Sequence, residues 1–438
     1  MYSKKSFYLG IILLIFPLTL FSQELSPYQL SLEKAIEMGL QNHQQLKIAE
    51  MQVQTGEQQV TVAKLQHLPT ATFSANAFYL GDALVLDTDW SKLQTVEMPH
   101  FGNTYGIQAS QLLYKGGVIK KSVEMAELQQ QLAALNLTNN IQDIKFLIIS
   151  NYLDIVKLIN QLQVVEQNKT LAEQLLANIV NLYDEDMVTR NEVIRAELQI
   201  KNLNQAMLTM KHNHAIMSNR LSYALGLPND VLIMPTEDLH VDLIERSQEE
   251  YINIALQEHP GLWMSEKNVE IAEKNVDLTK ANLFPSISLF GGYNMQRPLT
   301  SSTPVMDLYN NTWQAGISLN MNIDNLYKSK QKVKLSRLQA ATSQEALVYA
   351  QQNVETGVVA AFLKFRESQQ QMLLMEEAKL LASENYEIVR AKYLNQLAIT
   401  AEMTDASNAK LQSELEYSNT AINALFQYYN LLKATGRV

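Results

Sequence analysis

Hydrophobic positions along this chain follow two periods: long stretches at helical spacing, and four short ones that alternate residue by residue. Helical spacing predicts a helix over about 32–67. Ser31 is its candidate N-cap, without a capping box because Lys34 stands three residues on. Pro69 stops it. The chain then alternates over 70–79, with Ala71, Phe73, Ala75, Ala77 and Tyr79 opposite Thr70, Thr72, Ser74, Asn76 and Phe78. A second alternation over 104–113 sets Tyr105, Ile107 and Ala109 against Thr104, Gly106, Gln108 and Ser110. The residues between, about 81–102, read as a loop rich in Asp and turn-formers.

The same layout returns. Segment 36–73 recurs without a gap at 252–289, with 11 of 38 positions identical, among them His43/His259, Leu46/Leu262, Val60/Val276, Lys64/Lys280 and Pro69/Pro285. After Pro285 the residues Ile287, Leu289 and Tyr293 alternate with Ser286, Ser288 and Asn294. A Ser/Thr/Pro loop follows at 297–304. Then 312–323 sets Trp313, Ala315, Ile317, Leu319, Met321 and Ile323 against Thr312, Gln314, Gly316, Ser318, Asn320 and Asn322. A duplicated unit of helix followed by strands predicts two repeats, 23–226 and 227–438. Such strands suit a membrane barrel, apolar to lipid and polar to a lumen. They also suit half-buried strands of a soluble sheet.

Long helices complete each half. From Val118 to about Tyr183 the chain is helix-compatible throughout, about 100 Å at about 1.5 Å per residue. Leu128, Leu132, Leu135, Asn139, Gln142, Phe146, Ile149, Leu153 and Val156 follow a heptad rhythm. After a polar break at Asp184, Glu185 and Asp186 the chain returns over 190–225. The second half runs out over 328–393 and back to Leu432. A return helix and a pre-strand helix, stacked, match an outbound helix in length. The expected fold is therefore mainly α with a small β part, a long antiparallel coiled-coil cylinder capped by strands. Four strands are too few to close a membrane barrel, which needs about eight. Other copies must complete the edges, and three copies would supply twelve strands.

Composition narrows the function. Glycine and proline are sparse, 15 and 10 residues, and mean hydropathy is −0.13, so this is not a helical membrane bundle. Lys4 and Lys5 ahead of an apolar run over 9–21, with Ser22 as a small residue before Gln23, read as a signal peptide over 1–22. The absence of cysteine excludes disulfides, thiol nucleophiles and a lipid-modified cysteine. The net charge of −10 gives no electrostatic reason to bind nucleic acid.

With these segments in order, the chain resembles the TolC-like outer-membrane factors of tripartite efflux and type I secretion systems. The residues that carry the resemblance are Leu68-Pro69 and Phe284-Pro285 at the helix ends and the strand exit Gln111-Leu112-Leu113-Tyr114-Lys115-Gly116-Gly117. The hairpin tips 183–196 and 393–406, the latter ending Thr404-Asp405-Ala406, complete it. The second strand exit, Ile323-Asp324-Asn325-Leu326-Tyr327, lacks the Gly-Gly, and the family's tip glycine falls at Asp186 and Leu397.

The resemblance implies a homotrimeric conduit: a transmembrane β-barrel, four strands per chain, continued by a helical barrel through the periplasm. It implies a periplasmic adaptor (membrane fusion) protein, an inner-membrane transporter and outer-membrane lipid as partners. It places the channel constriction at the periplasmic tips: Glu402 and Asp405, which share a helix face at i and i+3, with Tyr393, Asn191 and Glu192. Asp184, Glu185, Asp186 and Leu397 are the adaptor-contact candidates. A basic latch of the family falls at Ala398, leaving Arg390 or Lys392 as replacements. Glu402 and Asp405 read equally as solvated charges at a helix start.

Other chemistry is not indicated. His212 and His214, at i and i+2, point to different helix faces. His43 and His259 suit packing or capping, and no phosphate loop or catalytic spacing stands out. No cofactor, no metal and no enzymatic activity is expected. The rival reading is a soluble periplasmic coiled-coil scaffold or adaptor, which would share the helices but lack amphipathic strands.

Overall fold

The computed structural model describes residues 26–236, 246–302 and 305–438; the expected signal peptide lies outside them. In chain order the first half gives β1 (Ser26–Leu30), α1 (Leu32–Asn42), α2 (Gln44–Leu65), β2 (Thr70–Tyr79), β3 (Ala83–Leu86), β4 (Lys92–Val96), β5 (Phe101–Tyr114), α3 (Val118–Asp184) and α4 (Arg190–Leu225). There follow β6 (Val231–Pro235), α5 (Gln248–Glu258), α6 (Pro260–Ala281), β7 (Ser286–Arg297), β8 (Asn310–Asn320), α7 (Asn325–Leu394) and α8 (Thr400–Thr435). The chain is mainly helical with a small sheet part. The outbound helices, 67 and 70 residues, and the returns, 36 each, follow the breaker-free stretches of sequence.

Three local features depart from the sequence pattern. The helix expected over 32–67 is broken at His43, whose Nδ1 accepts from Gln45 N at 3.2 Å and so caps α2. His259 does the same for α6, accepting from Gly261 N at 3.0 Å with Pro260 at the first helical position. The expected loop over 81–102 contains the antiparallel pair β3–β4. The short lead-in at 26–30 is a strand, parallel to β6.

The described residues form two compact units. One takes 26–35 with 151–236, the other 36–150 with 246–302 and 305–438. In the first, Tyr152, Ile155, Leu221, Leu225 and Ile233 are fully buried. Here the β1–β6 pair is clipped to its helices by side chains. The Tyr152 hydroxyl donates to Leu30 O (2.9 Å), His214 Nε2 donates to Ile233 O (2.7 Å), and Ser218 Oγ accepts from Ile233 N (3.1 Å). Backbone groups of two five-residue strands are thereby satisfied away from water.

In the second unit, α5, α7 and α8 share a core of Tyr251, Val358, Phe365, Tyr428 and Leu431. The sheet β2-β5-β7-β8 is antiparallel throughout, and β2 and β8 are its edges. The Gly-Gly exit turns β5 into α3: Gly116 and Gly117 both lie in the left-handed region, at φ +56° and +73°. Gly116 also passes so close to the end of α6 that a Cβ there would meet Phe284 Cδ2 at 2.6 Å and Ala281 Cα at 2.9 Å.

Candidate functional site

Strand register sorts the sheet into two faces. One row across it reads Ser74–Gly106–Asn294–Thr312 and another Thr72–Gln108–Gly292–Gln314. The row between them, on the opposite face, reads Phe73–Ile107–Tyr293–Trp313. Successive residues of a strand point to opposite faces, so the rows divide into a polar and an apolar surface. The apolar one is bare: Trp313 is 80% exposed, Ile317 70% and Phe73 66%. An uncovered apolar surface of this extent marks a face that meets lipid or another protein. On the polar face Phe290 lies over Gly316, where a side chain would meet its ring at 3.1 Å. No described helix is long and apolar enough to cross a membrane.

Beyond the strand ends furthest from the helices, Arg297 grips Asp307 with two hydrogen bonds (2.7 and 2.8 Å) and sits 5.6 Å from the Tyr309 ring centre. Asn103 Nδ2 donates to the Tyr309 hydroxyl at 3.4 Å. This cluster has no marker in the sequence, since Asn103 and Tyr309 are far apart in the chain.

Each helical hairpin ends in the same turn. Between α3 and α4, Met187 N donates to Leu182 O (2.8 Å) and Asp186 N to Tyr183 O (2.9 Å). Between α7 and α8, Leu397 N donates to Lys392 O (2.8 Å) and Gln396 N to Tyr393 O (3.0 Å). Both are Schellman turns, closed by a left-handed residue. That residue is Asp186 in one and Gln396 in the other, each at φ 60°. Leu397, the position matched to the family's tip glycine, is the next residue along and is 77% exposed.

The proposed constriction residues divide by burial. Glu402 and Asp405 are both exposed on α8, with Glu402 in its first turn. Tyr393 is 5% exposed; it packs inside its hairpin, its hydroxyl 3.4 Å from Thr400 Oγ1. Asn191 is exposed; Glu192 is half-buried, and its Oε2 has no hydrogen-bond partner. Asp184, Glu185 and Asp186 are exposed at the first turn. Of the two basic residues considered as a latch, Arg390 pairs with Glu387 one turn back at 3.4 Å, and Lys392 is exposed.

A second charged cluster, unforeseen from sequence, surrounds the α5–α6 break. Arg437 forms a two-pronged pair with Glu258, Lys433 pairs with Asp143 (2.9 Å), and Lys145 Nζ donates to Val438 O (2.9 Å). Gly436, at φ +78°, lets the end of α8 approach His259 and Pro260. Burial lowers the pKa of His259, with Asp143 acting in the opposite direction, and burial lowers that of His43.

A histidine kept neutral by folding is stabilising above its unfolded pKa, about 6.5, and that contribution is lost as pH falls through the lower folded value. Protonation at Nδ1 also removes the cap and adds a positive charge at a helix N-terminus. Thermal unfolding should therefore occur at lower temperature at pH 5.5 than at pH 7.5. The paired substitution His43→Asn/His259→Asn, which keeps a non-titrating cap, should shrink that difference. An unchanged pH dependence in the double variant would remove these histidines from the account.

Among the described residues no group of three or more His, Asp or Glu is placed to hold a metal ion. His214 is occupied by Ile233 O, and His212 is exposed.

Comparison with known proteins accords with this geometry. A family model described as outer membrane efflux protein matches residues 35–227 and 251–437. The outer membrane efflux protein BepC of Brucella suis biovar 1 (strain 1330) is 23% identical over 416 residues, covering 93% of this chain and 86% of BepC. A membrane protein from Pseudomonas aeruginosa shares the fold at TM-score 0.76 and 13% identity, over 92% of this chain and 90% of that one. The outer membrane protein VceC of Vibrio cholerae does so at TM-score 0.75 and 15% identity, over 93% and 96%. Because the family model takes in both halves of the sequence, this chain belongs to the outer membrane efflux protein family and is a protein of the outer membrane that extends into the periplasm.

Proposed function

We propose that the chain is the outer-membrane channel of a tripartite efflux or type I secretion system, acting as a passive homotrimeric conduit from periplasm to exterior. The observation that carries this reading is the four-stranded sheet with polar and apolar faces and two unpaired edges. Joining β8 of one copy to β2 of the next, three times over, gives a twelve-stranded barrel with the polar rows inside. The hairpins of the two repeats, 23–226 and 227–438, would line a helical barrel beneath it. A periplasmic adaptor protein and an inner-membrane transporter would engage the tips, with Asp184, Glu185, Asp186 and Leu397 as the contact surface. The conduit itself performs no catalysis, and cargo choice rests with the pump.

At the tip, the exposed Glu402 and Asp405 of each copy would put six carboxylates, two from each of three chains, around the aqueous path. Such a ring favours cations. Asn191, Glu192 and Tyr393 would form the surrounding wall, Tyr393 by holding its hairpin rather than by facing the pore. The test is conductance of detergent-purified protein in planar bilayers, with mass determination on the same sample. A trimer with small, cation-selective conductance is expected, and Glu402→Gln/Asp405→Asn should lower the cation preference several-fold. A water-soluble monomer without channel activity would overturn the conduit, whereas unchanged selectivity in the double variant would overturn only the role of the two carboxylates.

A further inference from the structure

The start of α7 carries a charge pattern that the conduit does not explain. Lys328, Lys330, Lys332, Lys334 and Arg337 lie within ten residues, and no Asp or Glu occurs from 325 to 344 in a chain of net charge −10. All five are exposed. Among the described residues only Lys328 has an ion pair, with Asp324 at 2.8 Å. Near the other strand–helix junctions Lys64, Lys120, Lys274 and Lys280 each have a carboxylate within 4 Å, while among the described residues Lys115 and Lys121 of the β5–α3 junction have none. What sets the start of α7 apart is therefore the density of its cations. Like charges at i and i+4, Lys328 with Lys332 and Lys330 with Lys334, also repel one another across the helix surface. An external anion would relieve that repulsion.

Position identifies which anion. The cluster begins eight residues after Asn320, the last residue of β8. Between them Met321, Ile323, Leu326 and Tyr327 are all exposed, and Lys328 Nζ lies 5.9 Å from the Tyr327 ring centre. Apolar and aromatic side chains followed at once by lysines are the composition of a membrane interface. Along the helix, Lys328 to Arg337 spans about 14 Å. That carries the charges through the headgroup layer and to within about one Debye length beyond it. The buried stripe Ser329, Val333 and Ser336 separates two flanks, Lys328 with Lys332 and Lys330 with Lys334 and Arg337.

We propose that the start of α7 is a docking surface for anionic phospholipid headgroups in the periplasmic leaflet of the outer membrane. This rests on the barrel reading, because the sheet must span the membrane for α7 to begin at headgroup depth. A closed barrel turns one flank toward lipid, so one set of cations carries most of the binding. Each basic residue near an anionic surface strengthens binding roughly fivefold.

The test uses the full-length purified assembly in detergent, titrated with phosphatidylglycerol or phosphatidylcholine, with retained lipid counted by mass spectrometry. Wild-type protein should retain phosphatidylglycerol at least tenfold better, and the preference should collapse in 1 M salt. Either Lys328→Gln/Lys332→Gln or Lys330→Gln/Lys334→Gln/Arg337→Gln should abolish most of it while conductance in planar bilayers persists. Equal retention of the two lipids by wild type, or a preference unchanged in both variants, would overturn the proposal. So would selective binding to isolated peptidoglycan without lipid preference, which would assign the surface to a cell-wall polymer. Loss of conductance by wild type itself would instead overturn the barrel reading.

Discussion

A Gly116→Val chain is expected to reach the membrane fraction at a small share of the wild-type yield and to unfold at a markedly lower temperature. Two independent costs meet at this residue. Its φ of +56° lies in the left-handed region, which costs a residue with a Cβ about 1–2 kcal/mol. The added side chain would also begin 2.6 Å from the Phe284 ring and 2.9 Å from Ala281 Cα, and backbone cannot yield as a flexible side chain can. Overpacking of that kind costs about 1–3 kcal/mol more. Gly117→Ala separates the two contributions. Gly117 has φ +73°, but a Cβ there meets nothing nearer than Lys121 Cε at 3.9 Å. That variant should lose only the conformational part, measurable as a smaller fall in unfolding temperature. If both substitutions behaved alike, the close approach to α6 would carry no weight.

Phe365→Ala should cost about 3–5 kcal/mol, the upper range for emptying a packed site. Phe365 is 2% exposed in the core shared by α5, α7 and α8, and its ring lies 5.6 Å from that of Tyr428. Tyr428 and Tyr251 hold further aromatic contacts, to Tyr429 and Phe362, so little around the vacated space can move inward. Phe365→Leu retains most of the volume and should cost about 1.5 kcal/mol or less. Denaturant unfolding of the two variants side by side checks the ordering. A Phe365→Ala loss near 1 kcal/mol would mean that this core collapses readily.

Most of the fold was legible because its elements are long and their breakers few. The stretch between Gly117 and Gly226 offers neither glycine nor proline, so helix is interrupted only at the polar turn around Asp186. The four sheet strands could be read from period-two alternation, since one face of each is apolar. By contrast, β1 and β6 have five residues each, alternate poorly, and find each other across about two hundred residues of chain. Pattern alone contains no information about such a pairing. The break at His43 was hidden for a different reason: no proline follows it, and a side-chain cap leaves the helical period intact on both sides. His259, with Pro260 behind it, advertised the same break.

The candidate site was legible only in part. Acidic residues at helix starts are visible in sequence, and Glu402 and Asp405 are both exposed. The burial of Tyr393 was not legible: Tyr183 holds the same place in the other turn, three residues before its left-handed residue, and is exposed. The Glu258–Arg437 contact joins residues from opposite ends of the second half, which no local signal announces.

The free edges of the sheet bear on how the protein comes to be where it works. A lone chain entering a bilayer would expose two rows of unpaired backbone groups to hydrocarbon, each costing several kcal/mol. If the proposed trimer is the membrane form, insertion would be collective, and its rate would climb steeply with the local supply of chains. Until enough copies met, each would keep an aromatic face such as Trp313 and Phe73 uncovered.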